Sequence, residues 1–425
     1  MVNIQNRWAM YDWASSAYNL VITSTVFPTY FIAVTQISDK PSSFSAFGLT
    51  LLNTSWYSFI LAMAFIIIAA LLPIMSSLGD LTGNKRQFLR FFIYLGSFAC
   101  MAMYFFTSSH IEIGFVTMAV ASISFWLGNV FYNSYLVELA PKEGRNLLSA
   151  KGYAFGYVGS VILQLISFMF IIKSAWFGID SSEGCRWSFI AVGLWWLLWG
   201  EYAIHYLPIH PKQNINNFKS IFVNGFKEVI YVLQQIKKIP IFKNYLFSAF
   251  LFSTGVQTIM LAATIYGKGE LLLDESFLII LILIIQLIAI PGAYFIASLS
   301  NKIGNIKALI FCVSIWIFIC IFAYFIPPKK PLLFALVGVL VGFVMGGIQS
   351  IGRSTYAKLV PSGEDITIYF SFYDFQEKIA LVVGMLLYSI MNELASSQRL
   401  SIIFFTVIFI FSLFSLVKTS KYRDL

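Results

Sequence analysis

Charged side chains interrupt several long apolar stretches of this chain. Asp12 lies in the first stretch, Arg353 in a late one, and Glu377 in the stretch that follows. An ionised group inside a bilayer is costly, so such residues usually face a wet cavity, pair with one another or move protons. The planar guanidinium of an arginine can bind a carboxylate through two parallel hydrogen bonds. Burial favours the neutral, protonated form of an acid. These residue types can therefore bind a polar solute and exchange a proton.

Amide and hydroxyl side chains recur in the same stretches at helical spacing. Asp12, Ser15, Ser16 and Asn19 fall at i, i+3, i+4 and i+7, which places them on one face of a helix. We predict a solute path lined by Ser16, Asn19, Asn129, Tyr132, Asn133, Thr254, Gln257, Gln349 and Arg353. The alternative is structural, because serine and threonine often bond the preceding helical turn and tyrosines often pack between helices.

A second set of residues could couple transport to protons or close a gate. Its members are Asp12, Glu138, Asp374, Glu377 and Lys378. Asp374 and Lys378 are four residues apart and can neutralise each other, whereas Glu377 has no obvious partner nearby in the sequence. Asp12 would either pair with Arg353 or Lys151 in a gate, or carry the proton. Arg353 would either bind a carboxylate or belong to the gate.

The sequence lacks the motifs typical of enzymes and metal sites. It contains no Walker-type loop, no HExxH and no GxSxG, and its four cysteines do not have metal-ligand spacing. We therefore expect no catalytic residues, no cofactor and no metal site. ATP-driven pumping and hydrolysis have no support in the sequence.

The composition is that of an integral membrane protein. Hydrophobic residues make up 59% and charged residues 11%, and the mean hydropathy is +0.81. Soluble proteins contain about a quarter charged residues, and a bilayer-spanning helix needs roughly 20 apolar residues. We predict an all-α integral membrane protein with twelve transmembrane helices in two six-helix bundles. The helices are expected at 9–36, 53–78, 88–107, 112–140, 151–173, 187–207, 241–267, 275–299, 307–326, 332–360, 366–392 and 399–418.

One loop motif occurs twice, about 220 residues apart. Residues 79–86 are Gly-Asp-Leu-Thr-Gly-Asn-Lys-Arg, and residues 300–307 are Ser-Asn-Lys-Ile-Gly-Asn-Ile-Lys. Such a repeat is typical of a duplicated carrier whose two bundles rock about a central site. We predict a cytoplasmic gate loop formed by Gly79, Asp80, Gly83, Lys85 and Arg86. The alternative is a solvated basic turn, and the second copy has Asn301 in place of the acid, so its gate should be weaker.

The longest connection divides the chain into two halves. We predict an N-terminal bundle at 1–207, a cytoplasmic linker with an amphipathic helix at 208–240, and a C-terminal bundle at 241–425.

Twenty lysines and arginines fall on the side of the two termini and seven on the other side, so we expect both termini in the cytoplasm. The net charge of +9 is spread over many loops and does not indicate nucleic-acid binding.

The first loop motif resembles the signature loop of the major facilitator superfamily. Residues 11–18, 132–136, 347–349 and 353–354 resemble, more specifically, the unknown major facilitator family, which is related to the fungal vacuolar amino-acid effluxers. The resemblance covers nearly the whole chain. It implies that the acid and the basic pair of the loop gate the cytoplasmic side. It also implies that helices one, four, seven and ten line the central cavity, and that amino acids are the cargo.

Two features set this chain apart from its relatives. Family members often carry an acid before the glycine of helix seven, but the segment around Gly255 has none. If that acid couples protons or binds an amine in relatives, this chain does so elsewhere or not at all. The fungal proteins are also longer, which favours a compact multi-pass protein of the bacterial inner membrane.

These observations predict a secondary active transporter and not an enzyme. We expect it to move a small polar organic solute by alternating access, with amino acids as the first candidates, export as the direction and protons or another ion as the coupling partner. We expect a monomer in the lipid bilayer. The alternatives are an exporter or flippase of lipophilic compounds, a carrier of peptides or cell-wall fragments, and a transport-inactive receptor or scaffold. The polar stripes argue against a receptor or scaffold.

Overall fold

Long helices account for almost all of the described chain. The structure, a computed structural model, describes residues 4–35, 43–46, 49–52, 56, 60, 63–68, 70–75, 84–209, 227, 230–361, 366–395 and 398–422. The chain divides into two compact units. The first unit consists of residues 1–135 and 155–226, and the second consists of residues 136–154 and 227–425.

The helices of the first unit follow the predicted apolar stretches. The first stretch is one continuous helix that contains α1, a π-helical segment and α2, and residues 63–68 and 70–75 are helical in the second stretch. The bounds are Ile4–Ala17 for α1, Tyr18–Val26 for the π-helical segment, Phe27–Thr35 for α2, Lys85–Ala102 for α3, Ile111–Leu139 for α4, Arg145–Ile172 for α5 and Ser181–Ile204 for α6. The end of α4 and the start of α5 belong to the second unit.

The second unit contains six further long helices. Their bounds are Pro240–Gly269 for α7, Glu275–Ile303 for α8, Asn305–Tyr324 for α9, Pro331–Leu359 for α10, Ile366–Ala395 for α11 and Gln398–Thr419 for α12. Each overlaps the helix predicted at its position. The amphipathic helix predicted in the linker lies mostly outside the described residues. Gly79, Asp80 and Gly83 of the predicted gate loop lie entirely outside them.

Nine helices within the described ranges are long and apolar enough to cross a membrane. The helices α6 and α11 are not among these nine, and both carry charged residues, including Glu201 and Glu377. The start of α6 differs from its predicted position, because it begins at Ser181 and not at 187. Asp180 explains the difference, since its carboxylate accepts a hydrogen bond from the Glu183 amide at 2.6 Å and caps the helix.

A short antiparallel hairpin, which was not predicted, lies between the first two apolar stretches. Strand β1 (Ser43–Ala46) pairs with β2 (Leu49–Leu52). Ser43 lies opposite Leu52, and Ala46 lies opposite Leu49. The hydrophobic periodicity that located the helices does not mark strands of four residues.

The first membrane stretch changes its helical geometry at Tyr18. The amide of Phe27 bonds the carbonyl of Ile22, which is five residues earlier and therefore a π-helical bond. The next residue is Pro28, which has no amide hydrogen for the α-helical bond to Ser24. The Ser24 hydroxyl bonds the Asn19 carbonyl at 2.9 Å. Because π-helical segments are rare and often lie at functional sites, this stretch is a candidate region for function.

Close helix packing in the second unit depends on glycines of α10. A Cβ atom on Gly342 would lie 2.7 Å from the carbonyl oxygen of Ile285, and a Cβ atom on Gly346 would collide with the carbonyl of Ala289. Small residues at four-residue spacing allow this approach of α10 to α8. Gly304 has a different role, since its φ of 90° between α8 and α9 is a conformation that favours glycine.

Candidate functional site

Asp12 lies in an aromatic environment within the first unit. It is 8% exposed and accepts a hydrogen bond of 2.6 Å from the hydroxyl of Tyr132 on α4. The Tyr132 ring stacks on Trp8, with ring centroids 4.4 Å apart, and on Tyr11, at 4.6 Å. The Trp8 indole also donates to the Tyr132 carbonyl at 2.9 Å. Two predicted residues from different helices, Asp12 and Tyr132, are therefore in direct contact.

The other predicted residues of the first unit have different surroundings. Asn19 is exposed in the π-helical segment, Asn129 is half-buried and Asn133 is buried. Ser16 packs against α5, since a Cβ atom on Gly156 would lie 2.6 Å from the Ser16 hydroxyl oxygen. Ser16 therefore makes a close helix contact, which is the structural alternative considered for hydroxyl residues.

Arg353 is held at the centre of a polar contact in the second unit. Its side chain lies on α10 and is 3% exposed. The guanidinium donates to the Ser149 hydroxyl and to the Ser149 carbonyl, both at 2.9 Å, and it lies 4.3 Å from the ring centroid of Tyr153. The Ser149 hydroxyl in turn donates to the Ser350 carbonyl at 2.8 Å. The start of α5 thus positions the guanidinium of Arg353.

Glu377 lies close to Arg353. Its carboxylate accepts a hydrogen bond from the Tyr373 hydroxyl and interacts electrostatically with Lys378 and Arg353. Lys378 interacts with both Glu377 and Asp374. The expectation that Glu377 lacks a partner nearby in the sequence is therefore wrong, because Tyr373, one helical turn away, donates a hydrogen bond to it. Asp374 and Lys378 interact electrostatically, and Lys378 is influenced by both acids.

Tyrosines enclose this charged group. The Tyr373 ring lies 4.7 Å from the ring of Tyr356, and the Tyr245 hydroxyl donates to the Gly352 carbonyl at 2.7 Å. We define the Arg353 cluster as Ser149, Tyr153, Tyr245, Arg353, Tyr373 and Glu377. Its members come from α5, α7, α10 and α11. The cluster offers a cation, an anion and aromatic faces within one compact unit.

The remaining predicted residues of the second unit lie on the same helices. The Thr254 hydroxyl donates to the Phe250 carbonyl at 2.8 Å, which is the intrahelical bond considered as the structural alternative. Gln257 and Gln349 are half-buried. Glu138 is half-buried near the end of α4.

Residues of the second copy of the loop motif form a hydrogen-bonded network of mostly neutral side chains. The Asn146 amide nitrogen lies 2.6 Å from the Asn305 side-chain oxygen, 2.8 Å from the Ser300 hydroxyl and 3.0 Å from the Asn301 side-chain oxygen. The Asn146 oxygen accepts from the Ser354 hydroxyl at 2.8 Å and from the Asn305 amide at 3.0 Å. We call these five residues the amide cluster. The five members carry no formal charge, and the Lys358 ammonium also donates to the Asn305 side-chain oxygen at 3.1 Å. The contacts of Asn146 do not require an acid at position 301.

The first copy of the loop motif is described only from residue 84 onwards. Lys85 is buried at the start of α3. The Arg86 guanidinium donates weakly to the Leu207 carbonyl at 3.4 Å, just beyond the end of α6. Both basic residues of the predicted gate loop therefore lie at one end of the first unit.

Sequence analysis missed several residues of these two clusters. Ser149, Tyr153, Tyr245 and Tyr373 were not selected, because an isolated serine or tyrosine in an apolar stretch is usually structural. Asn146 follows a polar loop and gave no periodic signal. Asn305 did give a signal, since the loop repeat pairs it with Asn84.

Comparison with known families identifies the class of protein. A sequence model of the family described as vacuole effluxer Atg22 like matches residues 2–146 and 138–423. These matches span nearly all of the sequence, so the chain belongs to this family.

Relatives occur in bacteria and fungi. The uncharacterized MFS-type transporter YxiO of Bacillus subtilis is 29% identical over 408 residues, covering 96% of this chain and 92% of YxiO. Autophagy-related protein 22 of Kluyveromyces lactis is 24% identical over 367 residues, covering 78% of this chain and 71% of that protein. The match to autophagy-related protein 22 of Vanderwaltozyma polyspora is 25% identical and spans 53% of the fungal protein.

Solved structures show the same fold. The proton:xylose symporter XylE superposes with a TM-score of 0.72 at 15% identity, covering 98% of this chain and 95% of XylE. A bacterial homologue of the iron transporter ferroportin in an outward-facing state gives a TM-score of 0.70 at 13% identity. This match covers 99% of this chain and 100% of the homologue. The chain is therefore a multi-pass membrane transporter with the major facilitator fold and not an enzyme.

The amide cluster should behave as one energetic unit. Asn146→Ala and Asn305→Ala should each lower the free energy of unfolding by about 1–3 kcal/mol, because each leaves buried polar groups unsatisfied. The double variant should lose less stability than the sum of the two single losses, and the difference, which is the coupling energy, should be at least about 1 kcal/mol. Reversible unfolding in mixed micelles measures these values. Asn129→Ala is the control and should change stability by less than about 0.5 kcal/mol. Additive losses from the two cluster variants would contradict the coupling.

Proposed function

We propose that this protein is a secondary active transporter that exports amino acids across a bacterial inner membrane by alternating access. The Arg353 cluster is the observation that carries this proposal. A free amino acid presents a carboxylate and an ammonium group, and the cluster presents Arg353 and Glu377 within electrostatic reach of each other. The aromatic faces of Tyr153 and Tyr373 can also interact with an ammonium group.

The burial of Arg353 supports a role beyond packing. A charged side chain within a membrane-spanning helix is costly, so such residues are rare unless they serve a function. In this state the guanidinium contacts a hydroxyl, a carbonyl and an aromatic ring. A substrate carboxylate would replace the neutral contacts with Ser149 by a charged, bidentate one. Substrate binding would then release Arg353 from α5.

We infer that transport is coupled to protons and that Glu377 carries the proton. Its carboxylate accepts a hydrogen bond from the Tyr373 hydroxyl and interacts electrostatically with two cations, Lys378 and Arg353. Binding of a substrate carboxylate to Arg353 would remove part of the positive field at Glu377, so proton uptake and substrate binding would be linked. Asp12, held by Tyr132, is then a gating residue of the first unit. Both termini would lie in the cytoplasm, and the transporter would act as a monomer.

Counterflow in proteoliposomes tests the substrate and the role of Arg353. Vesicles loaded with an unlabelled amino-acid pool should accumulate a labelled amino acid. Arg353→Ala should reduce the initial rate at least about thirtyfold, because a desolvated charge contact to the substrate is lost. Ser149→Ala removes the hydroxyl contact of Arg353 but keeps the carbonyl contact and the guanidinium, and should change solute affinity by less than about threefold.

Two outcomes would contradict this account of Arg353. Equal losses in Ser149→Ala and Arg353→Ala would show that Arg353 acts through its contact with α5 and not on the substrate. Absence of counterflow with folded wild-type protein, across neutral, basic and acidic amino acids, would exclude amino acids as cargo. Peptides, cell-wall fragments and lipophilic compounds would then be tested in the same vesicles.

Replacing Glu377 separates proton coupling from solute movement. Glu377→Gln should abolish accumulation driven by a pH gradient, because the amide cannot take up the proton. Counterflow by the same variant should stay within about threefold of wild type, since exchange needs no net proton movement. Glu112→Gln, which changes an exposed acid at the start of α4, is the control and should keep both activities. Gradient-driven accumulation by Glu377→Gln would rule out Glu377 as the proton carrier.

A further inference from the structure

A groove on the surface of the first unit shares no residue with either cluster described above. It has a volume of about 630 Å³ and lies between α1, α3 and α6. Its walls include Arg7, Tyr94, Phe98, Leu198, Tyr202 and Tyr206. The side chains of Phe98 and Leu198 are 57% and 67% exposed, so this wall presents apolar surface to its surroundings.

The groove has a polar end and an apolar end. Arg7 lies in the first turns of α1, and Tyr202 and Tyr206 lie at the end of α6 and just after it. Leu198 lies one turn before Tyr202 in α6, and Phe98 lies in the second half of α3, away from the end of α3 that carries Lys85 and Arg86. A molecule with a polar head and an apolar tail matches this gradient.

Arg7 is oriented by aromatic rings and not by an acid. Its guanidinium carbon lies 3.5 Å from the ring centroid of Tyr202 and 4.6 Å from that of Tyr206. Its one hydrogen bond among the described residues is a weak one of 3.4 Å to the Tyr202 carbonyl, and no ion pair to it occurs in that part of the chain. Stacking fixes the plane of the guanidinium while its edge donors stay available to an anion.

The acid in the groove is neutralised by another residue. Glu201 forms a two-point contact with Arg90, with nitrogen–oxygen distances of 2.6 and 3.1 Å. The positive charge of Arg7 is therefore not cancelled within the groove. Lys85 and Arg86 lie at the same end of this unit and add to the positive potential there.

We propose that this groove binds an anionic phospholipid from the leaflet on the side of the N-terminus. The phosphate would lie against the edge of Arg7, and an acyl chain would lie along Phe98 and Leu198. Basic pockets between membrane helices are known to bind anionic headgroups, and each basic residue near an anionic membrane surface contributes measurably to binding. This assignment does not depend on which solute the protein transports.

Lipid retention on the purified full-length protein tests the assignment. Protein in neutral detergent would be mixed with dioleoyl phosphatidylglycerol or with the zwitterionic dioleoyl phosphatidylcholine, and bound lipid counted by native mass spectrometry. Wild type should retain the anionic lipid at least about fivefold more than the zwitterionic lipid. Arg7→Gln should remove this preference, because the amide keeps a polar side chain without the charge.

Lys173→Gln is the matched control. Lys173 also lies over an aromatic ring, 5.4 Å from the centroid of Trp176, but it lies just after the end of α5 and outside the groove. The Lys173→Gln variant should retain the anionic lipid as wild type does. Tyr206→Leu gives a second variant that removes one ring beside Arg7 and should weaken retention without removing a charge.

Three results would overturn the proposal. The first is equal retention of the two lipids by wild type. The second is an unchanged preference in both Arg7→Gln and Tyr206→Leu when both variants are folded by circular dichroism. The third is displacement of the lipid by glycerol phosphate at equal concentration, which would mean that the acyl chain contributes nothing and that the site takes a free anion.

Discussion

The need to hold ionised side chains inside apolar helices governs the arrangement of the second unit. Arg353 is almost fully buried, and the start of α5 supplies the hydroxyl and carbonyl that its guanidinium contacts. Because burial of an unsatisfied charge is expensive, these partners must be present before α10 can carry the arginine. The grouping of residues 136–154 with the second unit follows from such contacts. Glu377, Lys378 and Asp374 then lie where opposite charges are close.

Neutral polar contacts have a complementary role. The amide cluster joins Asn146 to the second loop motif through side chains that carry no charge. The Lys358 ammonium also donates to Asn305 of this cluster, so opening of the cluster would free one cationic donor as well. In the first unit a neutral hydroxyl, that of Tyr132, donates a hydrogen bond to the buried Asp12 carboxylate.

Much of the fold was accessible from the sequence, because twenty apolar residues in a row have few alternatives to a membrane helix. The loop repeat also singled out Gly304. Its positive φ explains why the second copy of the motif has a glycine at this position. Tertiary contacts were less accessible. The pairing of Asn146 with Asn305 joins residues 159 positions apart, and no local pattern marks it. The π-helical segment was also missed, because it depends on hydrogen-bond register around Pro28 and not on hydrophobicity.

The account rests on the claim that polar residues beside Arg353 face a water-filled path that the solute enters. The most direct test replaces Cys100, Cys185, Cys312 and Cys320 with serine and then introduces Gln349→Cys, one helical turn before Arg353. A charged, water-soluble thiol reagent should modify this cysteine in proteoliposomes, and a transported amino acid should slow the reaction at least about fivefold. Ser314→Cys, on an exposed face of α9, should stay unreactive in lipid. A cysteine at position 349 that never reacts, or reacts at a rate that no amino acid changes, would contradict the claim.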